Sequence, residues 1–246
     1  MRLDAYLSCK QLVKSRSKAK QLIESGRVTV NGAVADKPSY EVADGDIVEI
    51  SGNPDEDFVG RGGMKLEAAL NFFNIDASGK TCVDIGASTG GFTECLLRRG
   101  AGKVYAVDSG KGQLAKELLG DDRVVSLEGV NARYMDRETI FGDIADVVVM
   151  DVSFISQKLI YPAVSKVAKE NADIITLIKP QFEAGRANIG KNGIVKDEKV
   201  HRKVIEDIKE NGAIFGFETV GVIDSPIKGG SGNKEYLIYF KNSGKS

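Results

Sequence analysis

Four charged side chains stand where they could do acid–base chemistry: Lys65, Asp151, Lys179 and Glu235. The last three lie at the ends of predicted strands, and Lys65 lies near the start of a predicted helix. A cation beside a hydroxyl favours the alkoxide and so activates a poor nucleophile. Lysine can do this as a neutral base or as a charged stabiliser of the oxyanion. Neighbouring carboxylates would raise the lysine pKa, while burial and a second lysine would lower it, so both roles stay open.

Each of the four residues also has an ordinary structural explanation. Asp151 could cap the helix predicted to follow it. Lys179 and Glu235 could form a simple ion pair. The four residues together are harder to explain in this way, because each is placed where open α/β sheets bind ligands or beside such a place.

A glycine-containing turn follows the first strand predicted for the large part of the chain. The segment Thr81-Cys-Val-Asp-Ile-Gly-Ala-Ser-Thr-Gly-Gly91 reads as a buried strand, a tight turn and the start of a helix. Glycine lets a ligand approach bare backbone, since it has no Cβ. The dinucleotide fingerprint G-x-G-x-x-G is not matched, and a turn with glycines for packing alone is the plain alternative.

A second strand, ending at Asp108, follows about 20 residues after the first glycine of the turn. An acid in this place holds a ribose hydroxyl in doubly wound sheets. Asp84, inside the first strand end, could lie near a cationic or amino group of a ligand, and the loop around Asn131 could approach the ligand. The candidate cofactor-binding residues are Asp84, Gly86, Ala87, Ser88, Thr89, Gly90, Gly91, Phe92, Asp108 and Asn131.

Strand and helix patterns alternate through residues 58–246, which predicts an α/β fold. The predicted strands are 82–85, 104–108, 123–126, 146–151, 173–179, 215–223 and 235–240. The predicted helices include 92–99, 113–119, 153–169 and 199–211. The glycine-bearing segment 183–197 is expected to be a mobile loop. The single histidine, His201, is expected on the surface of its helix.

Residues 1–50 form a separate small module, followed by a polar linker at 51–57. The module combines helices with short strands and an Asn31-Gly32 hairpin turn. Residues 1–30 carry seven basic side chains against two acids, a net charge of +5, which is typical of phosphate binding. A solvated helix face is the common alternative. The candidate residues for this binding are Arg2, Lys10, Lys14, Arg16, Lys18, Lys20 and Arg27.

The composition and the cysteine spacing indicate which broad class of protein this is. The chain has 246 residues, 42% of them hydrophobic and 28% charged, with a net charge of −1, as expected of a globular protein with one large and one small domain. Three cysteines without metal-type spacing indicate a reducing compartment, and no metal site is expected. We find neither a long apolar run nor a signal core, so a cytoplasmic protein without membrane contact is expected.

The motif D-I-G-A-S-T-G-G followed by A-V-D resembles S-adenosylmethionine (SAM) methyltransferases of the Rossmann-like class. This resemblance implies a mostly parallel seven-stranded sheet, SAM as cofactor, and Asp108 as the residue that binds the ribose of SAM. Lys65, Asp151, Lys179 and Glu235, with L-I-K-P-Q-F-E around the second lysine, resemble the catalytic tetrad of FtsJ-type ribose 2′-O-methyltransferases.

The module R-L-D-A-Y-L … S-R-S-K-A-K-Q-L-I-E-S-G-R-V-T-V-N-G resembles the RNA-binding domain first named for ribosomal protein S-four. With both parts joined, the chain resembles the TlyA or haemolysin A family of rRNA 2′-O-methyltransferases. That resemblance implies methylation of a cytidine ribose in ribosomal RNA or ribosomal subunits. The short N-terminus favours the large subunit, and the oligomeric state is left open.

Three other functions were weighed against this one. A ribosome-assembly factor with an inactive enzyme domain would bind RNA but not SAM. A membrane-lytic haemolysin would need an insertion segment that the sequence does not show. A nucleotide-dependent oxidoreductase would bind NAD.

Overall fold

The computed structural model describes residues 1–13, 15–51 and 58–244, apart from the side chains of Ser17 and Gln21. The chain divides into two compact units, Met1–Arg61 and Gly62–Ser246. The sequence placed the corresponding domains at 1–50 and 58–246. Apart from Ser51, the linker predicted at 51–57 lies outside the described residues.

The first unit packs two helices against a small antiparallel sheet. Its elements are α1 (Leu3–Cys9), α2 (Arg16–Glu24), β1 (Val28–Val30), β2 (Ala33–Val34) and β3 (Val48–Ile50), with the strand order β2-β1-β3. Fully buried Leu3, Leu7, Ile23 and Val28 form its core. The predicted Asn31-Gly32 turn is confirmed: it joins β1 to β2, and both residues have positive φ.

The second unit is built on a seven-stranded sheet with the order β6-β5-β4-β7-β8-β10-β9. Strands β4 to β8 run parallel, and β10 is antiparallel to both of its neighbours. This confirms the predicted mostly parallel α/β fold. The strands are β4 (Thr81–Ile85), β5 (Lys103–Asp108), β6 (Val124–Glu128), β7 (Ala145–Met150), β8 (Ala168–Ile178), β9 (Phe217–Asp224) and β10 (Tyr236–Asn242).

Six α-helices accompany this sheet in the described part of the second unit. They are α3 (Gly62–Phe72), α4 (Gly91–Arg98), α5 (Lys116–Leu119), α6 (Tyr161–Val167), α7 (Pro180–Glu183) and α8 (Glu198–Ile214). Strands β4 and β7 are buried almost throughout, as expected for parallel strands covered on both faces. After β4 the chain adds β5 and β6 on one side of that strand, and it then crosses to the other side to add β7. This topological switch point is where such sheets bind ligands.

The helix predicted at 153–169 is wrong in its first and last parts. Residues 153–156 are not helical, and Phe154 has a φ of 64°. Pro162 lies in the first turn of α6, where its fixed φ suits a helix start. Helix α6 ends at Val167, and β8 starts at the next residue, five residues earlier than predicted. The helix predicted at 113–119 is reduced to the single turn α5.

His201 is buried, not exposed as the sequence suggested: only 2% of its surface is accessible. Its Nε2 donates to the carbonyl oxygen of Val195, and its Nδ1 accepts from the hydroxyl of Tyr236, both at 2.9 Å. Val195, in the segment predicted to be a mobile loop, is also buried, and its amide donates to Asn233. The histidine therefore fastens this segment to the start of β10.

Candidate active site

The loop after β4 owes its shape to glycine. Gly86 has a φ of 84°, and a Cβ there would overlap the main-chain carbonyl oxygen of Asp151. Gly90 has a φ of 97°, and a Cβ there would overlap the side chain of Leu118. Both positions therefore require glycine for conformation and for space. The result is a loop whose backbone lies directly against the end of β7.

Asp108, at the end of β5, holds this loop in place. Its Oδ2 accepts from the amide of Ser88 at 2.8 Å, and its Oδ1 accepts from the amide of Gly110 at 2.7 Å. Ser88 itself has a φ of 49°, a conformation that these contacts help to maintain. Each carboxylate oxygen retains a further lone pair, so Asp108 can still accept from ligand hydroxyls.

A cavity of about 400 Å³ lies at the ends of β4, β5 and β7. Its volume is within the range of small-molecule sites. One part of its wall is polar, and the other is formed by aliphatic side chains and Phe154. The residues that line it are Ile85, Gly86, Ser88, Val107, Asp108, Ser109, Gln113, Val130, Asn131, Ala132, Asp151, Val152, Ser153, Phe154, Ile155 and Ile160.

The structure divides the candidate cofactor-binding residues into two groups. Gly86, Ser88, Asp108 and Asn131 line the cavity. The others shape the loop or the start of α4 without lining it: Asp84, Ala87, Thr89, Gly90, Gly91 and Phe92. The aliphatic lining residues carried no signal in the sequence, because they come from separate strand ends and loops that only the folded sheet brings together.

Asp84 lies behind the loop and is completely buried. Its Oδ2 accepts from the hydroxyl of Thr93 at 2.6 Å, and burial raises its pKa to about 7. The sequence suggested that Asp84 could lie near an amino group of a ligand. In the structure its hydrogen-bond donor is Thr93, at the start of α4, so Asp84 couples β4 to that helix.

The four candidate catalytic residues form two short ion pairs. The Nζ of Lys65 lies 2.6 Å from Oε2 of Glu235, and the Nζ of Lys179 lies 2.6 Å from Oδ1 of Asp151. The alternative pairing of Lys179 with Glu235 is therefore wrong, as is a helix-capping role for Asp151. Ile178 pairs with Tyr236 in the sheet, so Lys179 and Glu235 lie at the same edge as Asp151.

Two further residues that line the cavity were missed from the sequence. Ser153 Oγ accepts a hydrogen bond of 2.9 Å from the Nζ of Lys179. Phe154 is 92% exposed at the mouth of the cavity, and its ring lies 5.1 Å from that of Phe182. An exposed aromatic ring beside a polar cavity offers a stacking surface for a planar group.

The basic residues of the first unit are partly engaged within it. Arg2 and Arg16 both bind the carboxylate of Asp4, and the hydrogen bond from Arg2 is the main reason why the pKa of Asp4 lies far below its usual range. The other positions keep exposed or half-exposed side chains: Lys10, Lys18, Lys20 and Arg27. Lys14 lies outside the described residues.

No group of three His, Cys, Asp or Glu side chains among the described residues is arranged to hold a metal ion. No helix in the described ranges is both long and apolar enough to cross a membrane.

Comparison with known families covers both units. A family model described as FtsJ-like methyltransferase matches residues 58–242. A model described as S4 domain matches residues 1–48.

Similar proteins match along nearly the whole chain. Hemolysin A of Brachyspira hyodysenteriae is 44% identical over 240 residues, covering 98% of this chain and 99% of that protein. The 16S/23S rRNA (cytidine-2′-O)-methyltransferase TlyA of Mycobacterium tuberculosis is 42% identical, covering 98% of this chain and 89% of that protein. A solved structure, a putative hemolysin from Streptococcus thermophilus, has a TM-score of 0.78 at 42% identity and covers 99% of this chain and 88% of that one.

Proposed function

Because the chain belongs to the FtsJ-like methyltransferase family and carries an S4 domain, we propose that it transfers a methyl group from SAM to the 2′-hydroxyl of a cytidine ribose in ribosomal RNA. One observation carries the proposal: the Lys179–Asp151 pair lies at the same sheet edge as the glycine-loop cavity. A lysine that can act as a base or as a cation therefore lies next to a cavity large enough for a cofactor.

The residues around the cavity suit SAM. Asp108 presents a carboxylate to a ribose diol, as acids at this position do in doubly wound sheets. Gly86 lets the loop backbone lie against the carbonyl of Asp151, where any side chain would collide, and so shapes this side of the cavity. The aliphatic wall, which includes Val107, Val130 and Ile160, suits a purine ring. When bound, SAM supplies a sulfonium-activated methyl group and takes the electron pair of the broken carbon–sulfur bond.

Lys179 would act on the ribose hydroxyl. In its neutral form the amine accepts the hydroxyl proton as the oxygen forms its bond to the methyl carbon. Asp151, 2.6 Å away, stabilises the ammonium that results. Placement of the two reacting groups supplies the rest of the catalysis.

The first unit would bind RNA through its basic side chains. Lys10 and Lys20 are exposed, so phosphate groups can reach them. Replacing both with glutamine should weaken rRNA binding and reduce the slope of log affinity against log salt by about 2, since each phosphate contact releases counterions. Binding measured across a salt series checks this, with SAM affinity as the control. An unchanged slope would contradict an RNA role for these two lysines.

The substrate would be rRNA within a ribosomal subunit, with the large subunit as the proposed target. Action on rRNA also implies that the protein works in the cytoplasm. The test is transfer of labelled methyl from SAM to purified 30S and 50S subunits. Label in 50S rRNA supports the proposal, and label confined to 30S contradicts the choice of subunit. RNA binding without any transfer would support an assembly factor instead.

A further inference from the structure

Ser153 stands next to the proposed chemistry although the sequence gave no reason to select it. It lies two residues after Asp151 in the non-helical segment that follows β7, and it lines the cavity. Its hydroxyl oxygen accepts a hydrogen bond from the Nζ of Lys179 at 2.9 Å. The same nitrogen lies 2.6 Å from Oδ1 of Asp151. Lys179 therefore has two oxygen partners on two different residues.

Only one of these two contacts is a hydrogen bond. A lysine amine is tetrahedral and turns freely about its Cε–Nζ bond, so a single accepted N–H sets its rotation. Ser153 Oγ is that acceptor, whereas Oδ1 of Asp151 forms an ion pair with Nζ but accepts no hydrogen bond. Within the described residues, the Nζ of Lys179 has these two oxygen partners and no other. Its two other tetrahedral positions carry the remaining N–H groups of the ammonium, or one N–H and the lone pair of the amine.

Further contacts hold the segment that contains Ser153 against the residues that follow Lys179. The ring of Phe154 packs against that of Phe182. Glu183 then accepts from the Ser156 hydroxyl at 2.6 Å and from the amide of the next residue at 2.8 Å. Three successive contacts thus join segment 153–157 to segment 179–183. The hydroxyl of Ser153 is preorganised relative to the lysine it contacts.

We propose that Ser153 is a positioning residue for methyl transfer. By accepting one N–H of Lys179 it sets the rotation of the amine, so that one of the two other positions faces the substrate hydroxyl. This inference rests on the proposed function, in which Lys179 acts on a ribose 2′-hydroxyl. A hydroxyl is suited to the task because it accepts a hydrogen bond without adding a second negative charge, which would favour the ammonium further.

The test compares Ser153→Ala and Ser153→Thr in the full chain, by single-turnover transfer to 50S subunits at saturating SAM. We expect Ser153→Ala to slow transfer about 10- to 50-fold, below the loss for a missing acid–base group. Half-saturation by 50S subunits and affinity for SAM should not change. Ser153→Thr keeps the hydroxyl and should recover most of the rate. Ser165→Ala is the matched control, because among the described residues the Ser165 hydroxyl bonds only to the carbonyl of Pro162 in its own helix.

The split between rate and binding, together with the threonine variant, separates positioning from a general structural role. A Ser153→Ala rate within twofold of wild type, a rate loss explained by weaker SAM binding, or a Ser153→Thr rate as low as that of Ser153→Ala would overturn the assignment. Each of these leaves the proposed function standing if the wild type is active. A wild type and a Ser165→Ala variant that both transfer nothing to rRNA would overturn both proposals.

Discussion

The two lysine–carboxylate pairs have the same length and lie at the same edge of the sheet, yet they face different surroundings. The side chains of Lys65 and Glu235 are 9% and 2% exposed, and those of Lys179 and Asp151 are 12% and 20% exposed. Asp151 lines the cavity, together with the Ser153 that contacts Lys179. The same kind of ion pair is therefore enclosed in one place and open to a ligand in the other.

Removing Lys179 should produce the largest effect. Lys179→Ala should lower single-turnover methyl transfer by roughly 10²–10⁴-fold while SAM affinity stays nearly intact, because the interaction forms mainly in the transition state. Lys179→Arg should not restore the rate, since guanidinium does not give up its proton at accessible pH. Near-wild-type transfer by Lys179→Ala would reduce Lys179 to a partner of Asp151. Full rescue by arginine would show that its role is purely electrostatic.

Breaking the buried Lys65–Glu235 pair should lower the stability of the protein. Glu235→Leu leaves the Lys65 ammonium buried without its partner, which should lower the free energy of unfolding by about 3–5 kcal/mol. The double variant Lys65→Met/Glu235→Leu should recover most of that loss, since no unpaired charge remains. Denaturant titration of the single and double variants measures both effects. A stable double variant that methylates at the wild-type rate would contradict the catalytic role predicted for these two residues.

Structural features that are determined by residues close together in the chain could be predicted from the sequence. The strand, glycine turn and helix around Gly86 could be predicted because the backbone conformation itself demands glycine there. The partners of the lysines could not be predicted in this way. They depend on the register of β8 with β10, where Ile178 pairs with Tyr236, and on where α3 packs. Ser153 gave no signal, because a serine after a strand is common in loops.

Two errors have a common physical cause. The helix predicted at 153–169 and the exposed position predicted for His201 both relied on the nearby sequence alone. Contacts distant in the chain decide both cases: Glu183 holds Ser156 outside a helix, and Val195 with Tyr236 encloses the imidazole.

On the cofactor side of the site, Asp108 should matter for binding rather than for rate. Asp108→Ala removes a charged acceptor of ribose hydroxyls and should weaken SAM binding by on the order of 1.5–3 kcal/mol, about 10- to 100-fold in Kd. Titration calorimetry measures this, with exposed Asp122→Ala as the control. Unchanged SAM affinity in Asp108→Ala would remove Asp108 from the cofactor site.

Asp84 should affect the pH dependence of stability. The folded protein keeps a proton on Asp84 up to a pKa of about 7, whereas the unfolded chain releases it at about pH 4. The stability contributed by this group is therefore full below about pH 4 and is lost as pH rises toward 7. Asp84→Asn cannot ionise, so its unfolding free energy relative to wild type should rise by on the order of 2 kcal/mol between pH 5.5 and 7.5. Parallel curves for the two proteins would contradict this account.

The central claim is that Lys179, paired with Asp151, promotes methyl transfer from SAM to a ribose oxygen. Nucleoside mass analysis tests this claim most directly. 50S subunits lacking the modification are incubated with the protein and SAM, and their rRNA is digested to nucleosides. The account predicts 2′-O-methylcytidine in the wild-type reaction and none with Lys179→Ala. A methyl group found on a base, or 2′-O-methylcytidine formed equally well by Lys179→Ala, would contradict it.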